Sequence, residues 1–172
     1  AVNRALDRGV RVRILTNSIA SNNPLTAHSA YRNHIEDLLA SGVELHEVRT
    51  DARDRDYYMT TPVGRKQLAL HAKARIIDDD KVFIGSANLD PRSLKTNTEM
   101  GFLVISKSFN LTVRDAVDGD FSAANAWRLE MQDDGKVFWV SDDETLESQP
   151  ATSFMQRIED WFFSHLPLED AL

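Results

Sequence analysis

Residues 70–93, LHAKARIIDDDKVFIGSANLDPRS, constrain the fold more than any other part of the chain. His71, Lys73 and Arg75 occupy alternate positions in a run otherwise made of alanine and isoleucine. Side chains alternate between faces along a strand, so these three groups and Ile77 share one face, with Ala72, Ala74, Ile76 and Asp78 on the other. Asp79, Asp80 and Lys81 form a tight polar turn. VFIGS, 82–86, reads as the returning strand, which runs directly into Gly85, Ser86 and Asn88.

Imidazole and ammonium groups on one strand face suit a phosphate. Lys73 would neutralise phosphoryl oxygens, and His71 would attack phosphorus or donate a proton to a leaving oxygen. The Ser86 hydroxyl and Asn88 amide would hydrogen-bond the same phosphate as its charge builds, and Gly85 lets the backbone come close. A working imidazole needs its second nitrogen held, and Glu99 is the expected orienter, at the start of the following strand. Asp78 faces away from His71 and is expected to tie down the turn. A lone strand histidine is ordinarily a satisfied core residue, but the string H-x-K-x4-D-x6-G-S-x-N places its polar groups on two adjacent strands. That convergence favours function.

The remaining pattern is α/β. Residues 2–8 read as a helix stopped by Gly9, 10–17 as a strand, 28–40 as a helix with Tyr31, Ile35, Leu38 and Leu39 on one face, and 43–48 as a strand. This strand–helix–strand spacing implies a parallel pair. Residues 49–66 form a long charged loop, 68–78 and 82–86 the hairpin described above, and 98–105 a further strand. Residues 108–117 read as a helix capped by Ser108. WRLEM and KVFWV flank a hairpin turn at Asp133–Lys136, and 153–166 is an amphipathic helix. The 172 residues suffice for one domain with a real core, and no boundary divides them. Apolar content of 42% and charged content of 27% are ordinary for a globular protein. Without cysteine the chain has no disulfides or thiolate metal sites. No run approaches 18 apolar residues. The net charge of -7 is uneven: residues 49–75 carry +4 and residues 115–172 carry -11. A basic segment beside the His/Lys strand suits a phosphate-bearing ligand, whereas the acidic tail argues against a nucleic-acid groove.

The stretch resembles the HKD motif of the phospholipase D superfamily, through His71, Lys73, Asp78, Gly85, Ser86 and Asn88, with Glu99 as the downstream acidic residue. NLDPRS and NTEMG, the opening VRVRILTNSIA, NAWRLEMQDDGKVFWV and the closing LPLEDAL are similar to the C-terminal half of bacterial cardiolipin synthase-like members. The resemblance implies a mixed sheet flanked by helices in a phospholipase D-like fold, one half of a pseudo-two-fold enzyme. It also implies chemistry without metal or cofactor. One histidine attacks the phosphodiester to form a phosphohistidine; another protonates the leaving alcohol and then activates an incoming alcohol or water. The implied substrate is a phospholipid such as phosphatidylglycerol. Gly85, Arg92 and Asn97 would lie against it, and membrane contact would be peripheral.

That chemistry uses two histidines, and the chain holds one H-x-K: His28, His34, His46 and His165 have no lysine in register. The second must come from an N-terminal half of the same polypeptide or from a second copy. The opening on Ala1, inside a helix that an initial strand ordinarily precedes, favours the C-terminal half of a two-motif enzyme, with residues 1–172 as a single domain. His71 would then be the general acid/base. The alternative is a single-HKD endonuclease acting as a homodimer. The 49–66 loop, with Arg53, Arg55, Tyr57 and Tyr58, reads as a solvated loop. The last helix carries Phe154, Trp161, Phe162 and Leu166. Its one basic residue, Arg157, beside Glu159 and Asp160, favours packing against the domain over burial in a membrane interface.

Overall fold

A computed structural model describes residues 2–21, 28, 31–54, 68–88 and 90–165. In chain order the elements are α1 (Val2–Leu6), β1 (Arg13–Asn17), α2 (Ile35–Ala40), β2 (Glu44–Val48), β3 (Ala74–Ile77), β4 (Lys81–Gly85), α3 (Pro91–Lys95), β5 (Gly101–Ile105), α4 (Lys107–Asp118), β6 (Ala126–Met131), β7 (Val137–Val140), β8 (Thr145–Leu146) and α5 (Phe154–Ser164). The architecture is α/β with a mixed sheet and helices, as the sequence suggests. Contacts group the chain into two compact units. One comprises residues 1–70 and 121–166, and the other is centred on 71–120.

The first unit holds a five-stranded sheet, ordered β1-β2-β6-β7-β8. β1 and β2 pair in parallel, as the βαβ spacing requires, and the remaining pairs are antiparallel. Gly42, at φ 93°, ends α2 and turns the chain into β2. Ile35, Val43, Leu45, Trp127, Leu129 and Trp139 pack into one core, with Leu6, Ile14 and Leu38 against its margin. Glu47 follows Val43 and Leu45 on the core-facing phase of β2 and is fully buried. Its carboxyl accepts from Tyr31 Oη at 3.1 Å and Trp139 Nε1 at 2.9 Å. Asp160 of α5 is also fully buried, 2.8 Å from His28 Nδ1 and 2.8 Å from Arg32 Nη1. Burial pushes the Asp160 carboxyl up, but these two hydrogen-bond partners outweigh it and hold the group below its usual range. As expected, α5 packs against the rest of its unit, but not by its apolar face. The helix meets its unit through Asp160, while Phe154, Trp161 and Phe162 stay exposed. Leu166 and most of the 49–66 loop, with Arg55, Tyr57 and Tyr58, lie outside the described residues.

The second unit is an antiparallel sheet ordered β3-β4-β5 with α4 packed against it. β3 starts at Ala74 rather than at 68, although the Gly85 N–H still donates to Lys73 O at 3.0 Å, so pairing reaches one residue further. Gly85 and Gly101 face each other across β4 and β5. A Cβ on Gly85 would lie 2.7 Å from Met100 O and 3.1 Å from Gly101 Cα. A Cβ on Gly101 would strike the Phe83 ring. The cap of α4 is Ser106, not Ser108: Ser106 Oγ accepts from Phe109 N at 3.3 Å, and Ser108 already lies in the first turn. Asn110 is fully buried and donates to Lys81 O at 2.9 Å.

Two predictions follow from these packing constraints. Gly85→Ala forces backbone apart and should cost about 1–3 kcal/mol in urea unfolding. Gly119→Ala, whose Cβ meets nothing within 4 Å, should stay within about 0.5 kcal/mol of wild type. Equal losses in the two variants would refute the close-approach argument. The second prediction concerns pH. Burial raises the Glu47 carboxyl from 4.5 to about 7, with only partial relief from His28, Trp139 and Tyr31. A carboxyl with a raised folded pKa contributes stability that is present below the unfolded value of 4.5 and is lost as pH rises through 7. His46, lowered to about 4 chiefly by burial, has the opposite sign between 4 and 6.5. The Glu47→Gln variant isolates the carboxyl: from about pH 5 to about pH 8 it should lose about 2–3 kcal/mol less than wild type. Parallel stability profiles would contradict this.

Candidate active site

The HKD residues all lie in the second unit. His71 is exposed and Lys73 is half-buried, two residues apart and just ahead of β3. Lys73 Nζ lies 3.1 Å from His71 Nδ1 and 3.2 Å from Nε2, and donates to His71 O at 3.1 Å. An ammonium can only donate, so whichever ring nitrogen accepts from it carries a lone pair. The arrangement thus sets a nucleophilic or basic nitrogen beside a cation that can neutralise phosphate oxygens. Arg75, on the same strand phase, is spent differently: its guanidinium lies over the Phe83 ring at 5.2 Å.

A second polar cluster forms where β4 ends. The β4–β5 register sets Gly85 against Gly101, and the Ser86 N–H donates to Met100 O at 2.9 Å. Ser86 Oγ donates to Glu99 Oε2 at 2.5 Å and accepts from the Met100 N–H at 3.0 Å. Asn97 Nδ2 donates to the other Glu99 oxygen at 3.3 Å. The Ser86 hydrogen bond, then that of Asn97, holds the Glu99 carboxyl below its ordinary value. The hydrogen bond expected between Glu99 and His71 is not among those the described residues make. Glu99 lies just ahead of the β5 ladder, where the register brings Ser86 alongside it.

Asp78 stands at φ 51°, in the left-handed region that aspartate tolerates better than most residues. Its carbonyl accepts from Arg114 Nη2 of α4. Asn88 and Arg92 are exposed. Asp90 caps α3 by accepting from Ser93 N at 2.6 Å, and the Arg92 carbonyl receives the N–H groups of Thr96 and Asn97 at 2.9 Å. In this way α3 presents Asn97 to Glu99.

Three features escaped the sequence reading. In the first unit the Asn17 side chain brackets the backbone of Leu70, the residue before His71: Nδ2 donates to Leu70 O at 2.8 Å and Oδ1 accepts from Leu70 N at 2.7 Å. An asparagine ending a strand is the only signal for this. The buried Glu47 and the His28–Asp160 pair also went unnoticed. The signal for Glu47 was an acid on the apolar phase of VELHEV.

The family described as cardiolipin synthase, PLD-like domain, matches residues 1–121. Cardiolipin synthase C of Escherichia coli (strain K12) is 37% identical over 172 residues, 96% of this chain and 36% of that protein. An uncharacterized protein of Helicobacter pylori (strain ATCC 700392 / 26695) is 30% identical over 163 residues, 91% of this chain and 31% of the relative. Cardiolipin synthase B of Escherichia coli (strain K12) is 29% identical over 123 residues, 72% of this chain and 25% of that protein. The chain thus spans about a third or less of the length of these relatives. No solved structure matches it. With the motif, the fold and a family match over most of its length in agreement, this chain belongs to the cardiolipin synthase, PLD-like domain family.

Proposed function

We propose that the chain supplies one of two histidines for phosphatidyl transfer between phospholipids. The observation that carries this reading is the contact of Lys73 Nζ with the His71 ring on an exposed edge. Family membership and the names of the curated relatives support a phospholipid as the substrate class.

In the proposed reaction one imidazole nitrogen attacks phosphorus. An N–P bond forms as the P–O bond to the leaving alcohol breaks, and a second imidazolium gives its proton to that oxygen. An incoming alcohol then loses its proton to the second imidazole and attacks the phosphohistidine, which restores both rings. His71 takes the acid/base role and Lys73 binds the non-bridging oxygens. A phosphodiester anion is a stronger acceptor for the ammonium than a neutral ring. Substrate binding would therefore draw Lys73 away from His71 and free the ring for proton transfer. Ser86 and Asn97, held by Glu99, offer the next hydrogen-bonding groups, with Asn88 and Arg92 toward the substrate and Gly85 leaving room for it. The partner histidine comes from a second H-x-K-bearing half, since this chain has only one such motif. The exposed Phe102, Leu103 and Ile105 of β5 support a partner of that kind.

The test is the lipid formed when the chain, together with a polypeptide carrying a second H-x-K-x4-D segment, meets phosphatidylglycerol in EDTA. Cardiolipin and free glycerol are the expected products. His71→Ala and Lys73→Met should each lower the rate by about 10²–10⁴-fold. Undiminished turnover by His71→Ala would refute the assignment, as would cleavage of DNA without any change in the lipid.

A further inference from the structure

Helix α5 is amphipathic in the inverse sense for a helix on a folded unit. At 100° per residue, Phe154, Met155, Ile158, Trp161 and Phe162 fall within an arc of about 120°. All five are between 43% and 76% exposed. Asp160, the helix's one fully buried residue, lies on roughly the opposite side. The carboxylate fixes the helix's rotation through His28 and Arg32, and Gln156 adds a bond from Nε2 to Ile19 O at 2.9 Å. The apolar stripe therefore cannot roll inward without tearing Asp160 from its partners.

We propose that this stripe is the surface by which the chain docks on a phospholipid bilayer, α5 lying in the plane of the interface. The proposal rests on the reading of a phospholipid substrate, which sits in such a surface. Three features favour a bilayer as the occupant. The stripe is convex and carried by one helix about 16 Å long, which suits a flat, deformable interface. Its aromatic content includes Trp161, whose indole suits the headgroup boundary. Arg157 borders it on one side and Glu159 on the other, so the margin offers no net charge to match a charged protein face. The acidic chain gains nothing from an anionic surface, so insertion is apolar in origin and only weakly sensitive to salt.

Flotation of the full chain with vesicles tests this, using phosphatidylcholine alone and phosphatidylcholine mixed with phosphatidylglycerol. The chain should float with both, and added salt should change little. Trp127 and Trp139 are buried, so Trp161 is the exposed indole that reports insertion, by a blue shift of its emission. Phe154→Ser/Trp161→Ser should keep the fold and lower vesicle partitioning by about tenfold or more. Trp161→Phe should float as wild type but lose the blue shift. Three outcomes would overturn the proposal: no flotation with either vesicle, equal flotation by the double variant, or a wild-type dimer that the double variant dissolves while flotation persists. His71→Ala should float normally. Lost turnover with retained flotation then bears on the catalytic reading, and lost flotation bears on docking.

Discussion

Gly85 and Gly101 face each other across β4 and β5, where a Cβ on Gly85 would press on the Met100 carbonyl and one on Gly101 would displace the Phe83 ring. The register this contact fixes reaches the chemistry directly. With Gly85 opposite Gly101, Ser86 comes against Met100 and its hydroxyl reaches the Glu99 carboxylate. The same backbone carries Gly85 N to Lys73 O, which extends the ladder toward the H-x-K segment. A shift of one residue in that pairing would turn every side chain to the opposite face. It would separate hydroxyl from carboxylate and carry Lys73 off the face it shares with the two glycines.

The sequence displayed the residue types of the site well and their pairing poorly. His71 and Lys73 were legible as neighbours because residues two apart in extended backbone project to one side, and that local spacing brings them together although β3 begins only at Ala74. Glu99 was legible as a conspicuous acid, but its partner depends on a register that chain spacing does not encode. Asp78 was expected to tie down the turn that follows it; it stands there in left-handed backbone, which aspartate tolerates. The cap of α4 was displaced by two residues because Ser106 and Ser108 are chemically equal candidates. Only the bond from Phe109 N to Ser106 Oγ separates them.

In the first unit the buried charges decide more than the apolar pattern does. A hydrophobic stripe on a helix ordinarily marks the face turned to the core, and α5 was read that way. Asp160 reverses the inference. Burying a carboxylate requires partners, and His28 and Arg32 supply them from a segment 128 to 132 residues earlier in sequence. No local window of sequence contains that pairing. Glu47 shows a second solution to the same problem. Burial raises its carboxyl to about 7, and its hydrogen-bond partners among the described residues are the neutral donors Tyr31 and Trp139, whereas Asp160, bonded to a guanidinium, is held below its usual range.

The two units also differ in what holds them together. The first has a contiguous apolar core built on two tryptophans. In the second, Val82 is the one fully buried hydrophobic side chain among the described residues, and Phe102, Leu103 and Ile105 face outward. Hydrogen bonds to backbone carbonyls tie α4 and its cap to the hairpin there. Asn110 and Arg114 of α4 reach the carbonyls of Lys81 and Asp78, and the Ser106 N–H reaches Asp80 O at 2.7 Å. All three converge on the turn that closes the β3–β4 hairpin. Such bonds fix a hairpin's shape without covering its far end. They leave the imidazole of His71 and the hydroxyl of Ser86 exposed at the hairpin's open end, with the Lys73 ammonium beside the imidazole.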